Sequence, residues 1–502
     1  MSDSSIALNR FGLGARPDEP VPADPKAWLR DQFARFEPRP PALAAAPASG
    51  AVAADLRDYF VQLRAARQAS IGAQSQPAPV PDLSPASPLV PLQPMPAPGA
   101  MAPALPARSD AQMQVRQVAR RQADGQYGGA VAARAAAALV TPAPFVERLA
   151  HFWANHFAVS ADKLELIGLA GTLEFEAIRP HVLGRFGDML NAVERHPAML
   201  LYLDQAVSIG PASPFGARAA ARGNRKLGLN ENLAREIMEL HTLGVRSVYT
   251  QADVTEFARA MTGWTVGGIG NGPFARVLGT DGEAGRYVFA APLHEPGDRT
   301  ILGRRYPQAG EAQAQAVLND LANHPATAAH LATKLARHFA GDAPPPAMVA
   351  RLQAAFLRSG GDLPTVYRAI IDSPEAWVPQ PLKFRTPWEW SLGCLRALDY
   401  RETPAGPLVG LLNQLGQPTW RPGAPAGYDD IAASWAGPDA VLRRVEAAER
   451  LAARATQIDA RAVAPKLFPA ALQPATGQAL DRAESPGQAL ALLFVSPDMM
   501  RR

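Results

Sequence analysis

GLNENLAREIMELHTLGVRSVYTQADVTEFARAMTGW, residues 228–264, is the most informative segment of the chain. Its first half packs Asn230, Glu231, Asn232, Arg235, Glu236, Glu239 and His241 into one short helical run. A second helix follows and ends in Thr262, Gly263 and Trp264. So many polar groups on one helix imply burial with partners, because a buried polar atom without a hydrogen bond is costly. The expectation is therefore a mainly α chain, an irregular multi-helix bundle, with a polar centre between helices.

On a regular helix Asn232, Glu236 and Glu239 share a face at i, i+4 and i+7. Two carboxylates and an amide in one stripe suit acid–base work or a hard metal ion. Glu231, Arg235 and Glu239 form a second row at i, i+4 and i+8, which favours ion pairs. His241 stands about 140° from Glu236 and about 200° from Glu239 at that pitch, so a regular helix cannot aim all three at one ion. The Glu-x-x-His di-metal motif is absent. Asn230 is the expected N-cap.

A second constellation lies in HFWANHF, residues 151–157. His151 and Asn155 share a face, and His156 lies about 140° from His151. A histidine of this helix and carboxylates of the acidic helix together form a familiar kind of metal site in a helical bundle. Trp153, Phe152 and Phe157 read as core. His294 sits in the loop PLHEPGDRTILG, where functional residues concentrate. The candidate catalytic residues are thus Arg235, Glu236, Glu239 and His241. The candidate metal ligands are His151, His156 and His294, with Asn155, Asn232, Trp153 and Trp264 in support. All of this requires that the acidic helix and the histidine–tryptophan helix meet in the fold.

Working outward, residues 1–72 read as an N-terminal helical segment. Residues 73–108 read as a linker, since 11 prolines fall between Pro77 and Pro106. Such a composition suits an extended, mobile chain. Residues 109–265 hold the helical core, residues 266–310 a Gly-rich lobe with short strands near 286–289 and 299–302, and residues 311–502 a C-terminal helical part. Residues 168–193 read as a helix running on past Pro180, and 208–225 as loop. With 49 prolines and 40 glycines among 502 residues, much loop is expected.

The balance of 50 basic and 46 acidic residues leaves a net charge of +4 and no dense basic run, which argues against nucleic acid. One cysteine, Cys394, rules out an intrachain disulfide, a tetrathiolate zinc site and a CxxC pair. No apolar run of about 18 residues is present, so no membrane span is expected. No signal peptide is recognisable at the amino terminus, which suggests the cytoplasm. GxSxG, P-loop, GxGxxG and HExxH patterns are all missing.

The segments ALNRFGLGARP (7–17), ERLAHFWANHFAVS (147–160), HPAMLLYLD (196–204), NENLAREIMELHTLGV (230–245), HEPGDRTILG (294–303) and LKFRTPWEW (382–390) come in an order that resembles the bacterial family called domain of unknown function 1800. The likeness covers nearly the whole chain apart from the proline-rich insertion. It implies no agreed activity or cofactor. Many relatives carry export signals, which leaves a periplasmic location open, and they are often encoded beside a second protein, a candidate partner. Glu295 stands where relatives commonly carry aspartate.

Three functions stay open at this point. The first is a metal-assisted enzyme, redox or hydrolytic, built on the Glu/His/Asn/Arg centre with a divalent metal. The second is a non-catalytic binding or assembly protein whose centre is a structural network. The third is a heme-binding, peroxidase-like protein.

Overall fold

Proline opens about half of the α-helices among the described residues. Its missing N–H and fixed φ suit the first helical turn. Asp24 caps the helix that starts at Pro25, Ser213 the one at Pro214, Thr386 the one at Pro387 and Ser485 the one at Pro486. His196 and His324 do the same through Nδ1, which accepts from the backbone two residues on. Many of the prolines therefore start helices instead of extending loops. Ser208–Arg225, expected to be loop, includes such a helix at Pro214–Ala221.

The computed structural model describes residues 1–74, 110–223, 228–269 and 282–502. Most of the proline-rich 73–108 segment, and part of the Gly-rich lobe, lie outside these. The fold is mainly α. Long helices run over Asp110–Val140, Pro325–Ala340 and Pro438–Ala453, with many shorter ones between. Two small antiparallel pairs complete it. Trp264–Val266 pairs with Tyr287–Phe289, and Arg299–Ile301 with Arg304–Tyr306. Among the described residues no helix is long and apolar enough to cross a membrane.

Two apolar cores share the chain. The larger gathers Trp153, Phe157, Phe186, Trp264, Leu335 and Tyr367. The smaller holds Trp390, Cys394, Phe468 and Phe494 beneath the C-terminal helices. The Pro387–Ala397 helix joins them, buried along its whole length. It gives Trp388, Leu392 and Leu395 to the first core and Trp390, Cys394 and Ala397 to the second.

Residues 168–193 are not one long helix. They break into short turns at Ala170–Leu173, Glu174–Ile178 and Arg179–His181 before Phe186–Glu194. Pro180 cannot continue an α-helix, and the buried Arg179 guanidinium is held across the fold by Glu147 at 2.5 Å. The acidic helix also departs from regularity. Asn232–Glu236 is α-helical, and Ile237–His241 widens into a π-turn. The N-cap is Glu231 rather than the expected Asn230, which lies one residue earlier and accepts from Asn232 N at 2.9 Å.

Candidate functional site

The Pro144–His156 helix is buried on nearly every side. Trp153 anchors it, with Nε1 donating to the Tyr367 hydroxyl at 2.7 Å. One turn of helix further on, His156 is fixed at both ring nitrogens. Nε2 lies 3.1 Å from the His241 carbonyl, which can only accept, so Nε2 carries the proton. Nδ1 is then a free lone pair, and Lys334 Nζ sits 2.9 Å from it.

The acidic segment and the histidine–tryptophan helix do meet, and the π-turn makes the contact. A π-turn inserts an extra residue and shifts the phase of the helix. It brings His241 inward, with its ring 6.2 Å from that of His156. His241 Nδ1 pairs with Glu194 at 2.8 Å, both groups fully buried. The two glutamates stay on the outer side. Glu239 pairs loosely with Arg235 at 3.6 Å, and Arg235 with Glu231 at 3.1 Å. Glu236 is half-buried, and burial raises its carboxyl pKa. Asn232 is exposed. Trp264 is buried elsewhere, edge-on to Tyr287 at 5.3 Å.

A cavity of about 320 Å³ opens beside His156. Most of its wall comes from four places in the chain, and Leu13, Arg134 of the Asp110–Val140 helix and Leu240 of the π-turn complete it. The Pro144–His156 helix supplies Arg148, His151, Phe152 and Asn155, and the Pro325–Ala340 helix His330, Lys334, Arg337 and His338. Trp388 and Glu389 come from the Pro387–Ala397 helix, and Trp420, Tyr428 and Asp430 from the loop after it. Ala426 and Asp429 on its rim are exposed, so one side reaches solvent. Neither Glu236 nor Glu239 is among the lining residues.

Two of the three carboxylates lining the cavity, Glu389 and Asp430, are ion-paired, while Asp429 on the exposed rim accepts from the Ser434 hydroxyl at 2.7 Å. Arg148 and Arg502 both grip Glu389, the latter at 3.0 Å. Burial works against that carboxylate, yet the two guanidinium groups hold its pKa well below the usual range. Asp430 accepts from His338 at 2.8 Å and from Lys383 at 3.1 Å. Asn155 clamps the loop in place. Its Nδ2 donates to the Tyr428 carbonyl at 2.8 Å, and its Oδ1 accepts from Tyr428 N at 2.7 Å. Trp420 holds φ at 49°, a left-handed backbone seldom adopted by a bulky residue. Its Nε1 donates to Glu174 at 2.9 Å. Strain of that kind is tolerated where the surroundings fix it, and here it lies on the cavity wall.

The Lys334 amine differs from these groups. It lines the cavity, is half-buried and has no carboxylate ion-pair partner among the described residues. Burial lowers its pKa to about 8; the Asp430 charge opposes the shift and Arg337 adds to it. Burial also holds the neighbouring imidazoles neutral. His156 falls well below 6.5, and His330 and His338 fall to about 4.

A pH dependence follows. These three histidines bind protons near 6.5 when unfolded and only lower when folded, so the folded form holds fewer protons across that interval. Their contribution is complete above 6.5 and is lost as pH falls toward about 4. Thermal unfolding between those pH values should show Tm falling steadily on acidification. A flat Tm would contradict neutral burial of the three rings.

Among the described residues no group of three or more His, Cys, Asp or Glu is arranged to hold a metal ion. His151 accepts from Trp388 Nε1 at Nδ1, 3.2 Å, and turns Nε2 toward Glu147 at 3.5 Å. His294 does not line the cavity, and its Nδ1 is bonded to the Thr262 carbonyl at 3.0 Å. The three histidines picked as ligands are thus not gathered at one point. His330, Lys334 and His338 were legible in principle, since they recur every fourth residue along one helix face. Glu389 carried only the signature of a capping box, and that box is present. Asp430 lies in a loop and carried no signal.

Fold and site together define a mainly helical protein with a polar cavity at the meeting of its helices. The chain belongs to the family described as "Protein of unknown function (DUF1800)", whose model matches residues 6–501. No curated protein and no solved structure matches it.

Proposed function

We propose that the chain is an enzyme that holds a small molecule in this cavity and uses the Lys334 amine as its reactive group. His156 Nδ1 receives the amine proton. One observation carries the reading: Nζ stands 2.9 Å from a neutral imidazole lone pair, inside a cavity, with no carboxylate in ion-pair contact among the described residues. A lysine kept for structure is ordinarily paired when buried. An amine whose pKa lies near neutrality is a competent base or nucleophile. In this reading His241 and Glu194 position His156 through the His241 carbonyl, and Glu236 and Glu239 support the π-turn from outside. The three-ligand metal centre has no comparable support.

A second reading, a binding or assembly protein, is favoured by the completeness of the Glu389 and Asp430 networks. It expects an ordinary amine at Lys334. Pulse acylation with acetic anhydride, read by mass spectrometry over a pH series, separates the two. The enzyme reading predicts half-maximal reactivity of Lys334 at about pH 8, below the roughly 10.4 of a free lysine side chain, with the exposed Lys466 as the internal reference. Coincident profiles for the two lysines would refute it.

A further inference from the structure

Arg337 lies three residues beyond Lys334 on the same helix and lines the same cavity. It is half-buried, its Nε is buried, and it has no hydrogen-bond or ion-pair partner among the described residues. The other guanidinium groups at the cavity are committed, Arg134 to Glu174 at 2.8 Å and Arg148 to Glu389. The cavity therefore carries one fork-shaped cation with nothing to bind, beside one amine without a counter-ion. A planar guanidinium matches a carboxylate in two parallel hydrogen bonds. Phe152, Trp388 and Trp420 add an aromatic wall, with Arg134 stacked on Trp388 at 4.3 Å.

Arg337 and Lys334 lie on neighbouring turns of one helix, line the same cavity, and stand near enough for the guanidinium charge to act on the amine. A ligand that engages both Arg337 and Lys334 thus needs its two reactive ends close together. A 2-oxo carboxylate has them on adjacent carbons. Resting on the reading of Lys334 as a reactive amine, we infer that the cavity takes a 2-oxo acid with an apolar tail. Its carboxylate pairs with Arg337, and its carbonyl carbon is attacked by Lys334 Nζ to form an imine.

The step balances without an oxidant or reductant. The nitrogen lone pair forms the C–N bond, and the carbonyl π pair moves to oxygen. An N–H proton passes to His156 Nδ1 and from there to that oxygen. The resulting hydroxyl leaves as water on taking a further proton. One neutral amine, one carbonyl and one proton give one iminium and one water.

The test uses the full chain with phenylpyruvate and cyanoborohydride, which reduces an iminium to a stable secondary amine. Mass spectrometry should place the adduct on Lys334 in preference to Lys466. Arg337→Gln should cut that trapping about tenfold, as loss of a charged hydrogen-bond pair does, while trapping of phenylacetaldehyde, which has no carboxylate and senses only the change in the amine, falls much less. On the unaltered protein, excess phenylacetate should protect Lys334 and phenylacetamide should not, so the inference remains testable if the variant misfolds. Adducts spread evenly over the lysines, or protection by both compounds alike, would overturn it. If Lys334 acylates with a midpoint near pH 8 and yet is not trapped, only this inference falls. If it titrates like Lys466, the functional reading falls too.

Discussion

Glu389→Gln should lower the free energy of unfolding by about 3–5 kcal/mol, the usual effect of breaking a buried ion pair from one side. The side chain is under one-tenth exposed and faces two guanidinium groups, those of Arg148 and Arg502, themselves almost wholly buried. Glutamine keeps the shape, and its oxygen can still accept from Thr386 N at the helix start, a bond of 3.0 Å with the carboxylate. The charge is what disappears. Arg148, whose pKa burial already pushes down to about 9, then has no counter-ion. Urea unfolding should show the midpoint falling with an unchanged slope. Adding Arg148→Met to the variant should restore part of the loss, because one of the uncompensated charges goes with it. A change within experimental scatter would mean that Glu389 is not the anchor joining the C-terminal end to the cavity.

Trp153→Ala should cost about 3–5 kcal/mol, the range for truncating a buried aromatic side chain to alanine. Trp153 is fully buried and touches Phe157, Phe186 and the His156 ring, with centroids at 6.0, 5.7 and 5.3 Å. Its loss opens a cavity and strips the buried Tyr367 hydroxyl of its partner. Trp153→Phe should cost less, since most of the ring volume remains. The two variants also separate packing from site chemistry. His156 rests edge-on against the indole, so in Trp153→Ala the Lys334 titration should move back toward an ordinary amine as water enters. In Trp153→Phe it should stay near 8.

The HFWANHF and NENLAREIMELH segments were recognisable in the sequence, and they do come together. The mainly α class was equally legible, because its helices carry prolines and caps at their starts. What failed was the regular-helix arithmetic. A stretch written as one helix contains a π-turn at Ile237–His241, and the shifted phase sends His241 inward while Glu236 and Glu239 stay outside. Propensity patterns do not announce such a turn. In the sequence His330 and His338 read as structural or exposed, and Lys334 and Arg337 either as charge for a buried acidic centre or as a solvated face, because each residue type, taken alone, has an ordinary explanation on a helix. Only the cavity formed with Trp388, Glu389 and Asp430 gives the row a meaning. Those partners lie far along the chain, and Asp430 is held by His338 and Lys383, a contact that no local spacing encodes.

Nitrogen-15 NMR of the labelled imidazole reads the proton arrangement between Lys334 and His156 directly. The prediction is a ring that stays neutral through pH 6.5 and above, protonated at Nε2, with an Nδ1 resonance that shifts when Lys334 is replaced by methionine. A ring protonated at Nδ1, or one that titrates near 6.5 without regard to Lys334, would contradict it.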